Sequence, residues 1–223
     1  TGPIFGSNDK CSLFTFNGWG GKYVLDHDDE VGEFVARGAA AEAVRHDKVL
    51  EGGALDWDGE GTVLTTRECL LNPNRNPGMT EAKAEAFLRE ALGMKGVIWI
   101  GRGLMNDHTD GHIDNIARFV APGVVVCQSP ASAGDPNAER LDEIAAALKG
   151  QRDARGRMLQ VIRIPSPGLV EGEEGEPVPA SHMNFLIGNS TVVVPTYGTV
   201  TAKAAVDALK PLFPSRTVVG LSA

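Results

Sequence analysis

The stretch HIDNIARFVAPGVVVCQSPASAGDPNAERLDEIAAALKGQRDARGRMLQVIRI, residues 112–164, decides the architecture. It opens on an apolar-alternating run, turns at Pro122-Gly123 and continues through Val124-Val125-Val126-Cys127, which reads as a hairpin. Asp135-Pro136 then supplies an N-cap and a first-turn proline. Leu141, Ile144, Ala145 and Leu148 fall on one helical face, and Gly150 stands where a helix stops. The run 159–164 closes the unit as a single strand. Hairpin, helix, strand recurs in 51–100, where Thr80 caps the helix and Gly93 ends it, and in 183–219, where the helix stops at Pro211. Each hairpin plus strand can bury one face against one helix, so the pattern predicts a ring of small αβ modules, with an ordinary α/β or α+β sheet as the alternative. Upstream, a helix is expected over 31–46, interrupted by Gly38. The Pro/Glu/Gly-rich stretch 165–181 reads as a solvated surface insertion.

Outward from this frame, the 223 residues are 42% hydrophobic and 22% charged, enough for a sizeable core in a single domain spanning 1–223. Acidic residues number 29 against 21 basic, a net charge of -8 that argues against nucleic acid or an anionic membrane as partner and suits a cationic ligand. No stretch resembles a transmembrane helix or a signal peptide. Cys11, Cys69 and Cys127 have no CxxC spacing and no electropositive setting, so all three read as buried thiols in a reducing, cytoplasmic compartment. The absence of an initiator Met suggests a piece of a longer chain.

The densest polar cluster is Asn106-Asp107-His108-Thr109-Asp110-Gly111-His112-Ile113-Asp114-Asn115. If 112–120 is a strand, His112 and Asp114 share a face, placing an imidazole beside a carboxylate in the manner of acid/base catalysis. A metal reading using His108, Asp110, His112 and Asp114 competes, but an extended ladder spreads such ligands along about 20 Å, and no metal or cofactor is expected. Glu51-Gly52-Gly53 combines a carboxylate with two glycines that allow close backbone passage. Asn17-Gly18-Trp19-Gly20-Gly21-Lys22 has the wrong spacing for a phosphate loop and reads as an aromatic-bearing loop, a rim or lid. His182 and Asn184, at a strand entry, are weaker site candidates.

Six segments in order, Thr1-Gly2-Pro3, Phe16 through Lys22, Glu51-Gly52-Gly53, Thr109 through Val120, Asn184-Phe185 and Val194 through Gly198, resemble the agmatine deiminase family, also called bacterial peptidylarginine-deiminase-like. The resemblance runs the length of the chain. It implies a pentein fold, an α/β propeller of ββαβ repeats, of which this chain would hold about three blades of an incomplete five-bladed ring. It implies hydrolysis of a small cationic guanidine, agmatine, to N-carbamoylputrescine and ammonia through a covalent thiouronium on a cysteine. His112 matches the general acid/base, Asp114 a carboxylate that binds the guanidinium, and Glu51 the residue that supports the histidine. The family's second guanidinium-binding aspartate would precede residue 1 and its catalytic cysteine would follow residue 223, so the piece alone is expected to lack turnover. A non-catalytic pentein binding module and a related arginine or peptidylarginine deiminase are the alternatives. The sequence leaves open whether the protein is an oligomer.

Overall fold

The computed structural model of the chain describes residues 1–6 and 9–223. It contains four three-stranded sheets, each built from one contiguous stretch. The first comprises β1 (Ile4–Phe5), β2 (Lys10–Thr15) and β3 (Glu42–Val49). The second comprises β4 (Asp56–Trp57), β5 (Thr62–Thr66) and β6 (Gly96–Ile100). In the third are β7 (Ala117–Ala121), β8 (Val124–Ser129) and β9 (Gln160–Pro165), and in the fourth β10 (Leu186–Ile187), β11 (Thr191–Thr196) and β12 (Thr217–Ser222). Every sheet pairs its first two strands antiparallel and adds the third parallel to the second. The parallel addition requires a crossover, and a helix supplies it in each unit.

The three repeats read from the sequence are all present, and a fourth precedes them. The expected helix over 31–46 is α1 (Val31–Gly38) followed by β3, because the chain turns at Ala39-Ala40, with Ala40 in left-handed backbone, and then pairs with β2. Val49 ends that strand, and the second unit's hairpin, expected from residue 51, starts at Asp56. The expected helix ends hold more closely. A short helix α2 (Arg67–Leu70) precedes α3 (Glu81–Leu92), which is capped by the Thr80 side chain and ends on left-handed Gly93. Helix α4 (Ala138–Leu148) starts two residues after Pro136, because the Asp135 carboxylate caps a preceding turn through the Asn137 N–H at 2.9 Å. Helix α5 (Ala202–Leu209) runs into the turn at Pro211.

Helices alternate with sheets. Leu141, Ile144 and Leu148 of α4 pack between Leu64, Ile98 and Ile100 of the second sheet and Val125 and Cys127 of the third. Ala205 and Leu209 of α5 lie between Val126 and Ile164 of the third sheet and Val192 and Val194 of the fourth. Successive residues of β8, Val125 and Val126, thus enter different cores. A central strand covered on both faces reads as an unbroken apolar run, which is what 124–127 is.

A buried polar clasp joins three units. Asp56 of β4 accepts from Arg118 Nε at 2.7 Å and from the Phe119 N–H at 2.6 Å. Arg118 also donates to the Phe185 carbonyl at 2.9 Å and lies over the Phe185 ring. No helix is long and apolar enough to cross a membrane among the described residues.

Candidate active site

Two tight turns bring the candidate residues together. Glu51 precedes the 3-10 turn Gly52–Ala54, and His112 precedes the 3-10 turn Ile113–Asn115; the two turns abut. The expected strand over 112–120 is therefore corrected: β7 begins at Ala117, and left-handed backbone at Asp110 and Gly111 bends the chain before His112. His112 and Asp114 do not share a face by strand alternation, and the extended ladder of four ligands over 108–114 does not exist. They converge through the turn instead. A Cβ placed on Gly53 would stand 2.5 Å from His112 Nδ1 and 2.7 Å from Asp114 Oδ2, so only a glycine lets both groups close over the backbone here. The turn is held by a relay in which Thr109 Oγ1 donates to Asp107 at 2.6 Å and accepts the His112 N–H at 3.1 Å.

Behind His112 sits Glu51, 1% exposed, with Oε2 4.0 Å from His112 Nε2; neither atom has a hydrogen-bond partner among the described residues. The other Glu51 oxygen accepts from Arg75 Nε at 2.9 Å. Arg75 also donates to the Thr109 carbonyl at 2.8 Å and pairs with Asp110. The loop carrying His112 is thereby fastened to the glutamate that faces it. Burial pushes His112 down to about 4, with Asp107 pulling the other way, so the imidazole is neutral at pH 7. Burial pushes Asp114 up to about 6 despite the Arg118 charge, which leaves the carboxylate ionised at neutral pH but only by about one pH unit.

Asn17 through Tyr23 form the site's rim. Gly18–Gly21 is a single left-handed turn, with Trp19 and both neighbouring glycines at positive φ, capped when Asn17 Oδ1 accepts the Gly20 N–H at 2.9 Å. Gly20 passes so close to Arg75 that a Cβ would lie 2.8 Å from its guanidinium. Lys22 donates to the His108 carbonyl at 2.8 Å and pairs with Asp110, while the Tyr23 hydroxyl bonds His108. His108 and Asp110 are thus bound up in the rim and its anchor. His182 is fully buried, its Nδ1 bonded to the Pro195 carbonyl at 2.8 Å, and Asn184 donates to Asn115 Oδ1 at 3.2 Å; neither is brought to the His112–Asp114 space by these contacts.

Sequence reasoning missed Arg75, which stands in the turn-rich Asn72-Pro73-Asn74-Arg75-Asn76-Pro77 and signals nothing by spacing. It also missed that Cys69, read as a plain buried thiol, lies against the site. The ligand atoms of Glu51, Cys69 and His112 are within 4.8 Å of one another, and among the described residues these three are the group that could hold a metal. Burial, and then the Glu51 charge, push the Cys69 thiol far up, which keeps it protonated and unreactive.

Known proteins match the chain along its whole length. The family model for Porphyromonas-type peptidyl-arginine deiminase matches residues 1–223. The agmatine deiminase of Stutzerimonas stutzeri is 39% identical over 246 residues, covering 98% of this chain and 67% of that protein. The solved agmatine deiminase of Enterococcus faecalis superposes with a TM-score of 0.92 at 34% identity, covering 99% of this chain and 68% of that one. A dimethylarginine dimethylaminohydrolase shares the fold alone, with a TM-score of 0.53 at 11% identity. The chain spans about two thirds of the length of these relatives.

Proposed function

Because the chain belongs to the Porphyromonas-type peptidyl-arginine deiminase family, we propose that it forms the guanidinium-hydrolysing site of an agmatine deiminase. The convergence of His112 Nδ1 and Asp114 Oδ2 over Gly53 carries the reading. A planar guanidinium is held best by a carboxylate that accepts from two of its N–H groups, and Asp114 is ionised for that at neutral pH. His112 presents Nδ1 there while Nε2 turns toward Glu51. With the imidazole proton on Nε2 and Glu51 orienting it, Nδ1 keeps a free lone pair for proton transfer.

In the reaction, His112 Nδ1 first takes the proton of the attacking thiol; the thiolate adds to the guanidinium carbon, and ammonia leaves as His112 passes that proton to the departing nitrogen. Water, deprotonated by His112, then displaces the thiol and leaves the ureido product, so one water is consumed and one ammonia released. Cys11, Cys69 and Cys127 are all buried free thiols. None of the three is taken as the attacking thiolate. The net charge of -8 favours approach of a cation, and three unpaired thiols suit a reducing cytoplasm.

The test is ammonia and ureido-product release by the full-length protein, with agmatine and free arginine side by side. Agmatine turnover that His112→Ala and Asp114→Ala each nearly abolish supports the reading. Agmatine binding without turnover would make the protein a binding module, and near-normal rates in either variant would overturn the residue roles.

A further inference from the structure

Behind the histidine, the pocket holds a group that hydrolysis does not use. Cys69 Sγ approaches Glu51 and His112 from helix α2, its backbone N–H held by Thr66 Oγ1 at 3.2 Å, so the thiol is fixed in place. The three residues come from three separate segments and all are buried, His112 retaining the most exposure at 6%. Glu51 Oε2 and His112 Nε2, both buried and both without a hydrogen-bond partner, point into the same volume. Two orphaned polar atoms facing a thiol are an arrangement that water-excluded protein interiors ordinarily avoid.

A thiol, an imidazole and a carboxylate make a donor set for zinc, with water as the fourth ligand, and the sulfur disfavours magnesium and calcium. We propose that Glu51, Cys69 and His112 bind a thiophilic divalent cation of the zinc class, which reversibly shuts down the site. Charge balances within the site: thiolate and carboxylate offset the dication, the thiol proton leaves to solvent, and Arg75 stays paired with Asp110 and the other Glu51 oxygen. Ligand atoms around tetrahedral zinc stand about 3.5 Å apart, so the ion draws the 4.0 Å gap between Glu51 Oε2 and His112 Nε2 slightly closed. The inhibitory consequence rests on the proposed function. A neutral imidazole has one proton, and metal on Nε2 confines it to Nδ1, removing the lone pair that faces Asp114.

Cobalt(II) titration of the full-length protein tests the site without reference to activity. One equivalent should bind with a thiolate-to-cobalt charge-transfer band and the intense visible bands of four-coordination, and zinc should displace it. Cys69→Ser should lose the charge-transfer band and weaken zinc binding by at least about tenfold, the scale seen even for outer-shell partners of metal ligands. Cys127→Ser should keep both, and Cys69→Ala serves as a second variant, with folding checked by circular dichroism. In the full-length enzyme, zinc should lower agmatine turnover, a chelator should restore it, and Cys69→Ser should turn over normally and resist zinc. A cobalt spectrum without the thiolate band, unchanged affinity in Cys69→Ser, or undiminished zinc inhibition in that variant would overturn the proposal. A full-length protein that turns over no guanidine would sink the functional reading, while the cobalt spectrum still decides the site.

Discussion

Arg75 and Glu51 form an ion pair from which water is excluded, Nε donating to Oε1 at 2.9 Å with both side chains 1% exposed. Because Arg75 also holds the Thr109 carbonyl and Asp110, it ties the glutamate behind His112 to the loop in front of it. Removing one member of a buried pair strands the other. Arg75→Met should therefore destabilise the fold by about 3–5 kcal/mol, read as a lower urea midpoint. A loss below about 1 kcal/mol would place the pair among weakly coupled surface bridges.

Gly53→Ala adds one methyl group where His112 Nδ1 and Asp114 Oδ2 converge, at 2.5 and 2.7 Å. Gly53 has ordinary negative φ, so the backbone itself accepts alanine. Displacing the reacting groups by about 1 Å is enough for roughly a hundredfold loss of kcat/KM, with circular dichroism unchanged. Wild-type activity in this variant would mean the guanidinium sits elsewhere.

Protonation of Asp114 should set the acid limb of the pH profile. Its folded value near 6 lies above that of His112 near 4, so as pH falls the carboxylate is neutralised while the imidazole is still uncharged. For the full-length enzyme, kcat/KM should fall about tenfold per pH unit below about 6, chiefly through weaker binding of the cation. An acid limb displaced to about 4 would transfer the titration to His112.

Asp56 should matter for stability without touching chemistry. It receives both Arg118 Nε and the Phe119 N–H, and Arg118 reaches on to the Phe185 carbonyl. Asp56→Ala leaves a guanidinium and an amide unsatisfied and should lower stability by about 3–5 kcal/mol; Asp56→Asn, which keeps an acceptor, should lose less. Equal losses in thermal scans of the two variants would show that the side chain's volume matters and its charge does not.

The repeats were legible wherever a strand is buried on both faces or a helix carries an apolar stripe, as in 124–127 and 141–148. The first unit was not, because its third strand, Glu42–Val49, is mostly exposed and its sequence EAVRHDKV has no apolar alternation. Its buried core is small, with Cys11, Leu13 and Ala36. At the site, Glu51, His112 and Asp114 do come together. The strand expected to align them was misread because left-handed Asp110 and Gly111 interrupt it, and turns that hold φ positive are announced only weakly by Asp-Gly. Arg75 stayed hidden because its partners Glu51 and Asp110 lie 24 and 35 residues away, and nothing local marks a pairing of that reach.

Each sheet is assembled from its own run of chain, and among the described residues no strand of one unit pairs with a strand of another. Backbone ladders therefore stop at every seam, and side chains such as those around α4 and α5 carry the contacts between neighbouring units. Inheritance can work on such a molecule joint by joint: a seam can be rewritten with a few substitutions while the ladders on either side stay in register. The Glu51–His112 pairing lies across one of these joints, between the second and third sheets, so its geometry depends on side chains holding the seam and not on a shared backbone ladder.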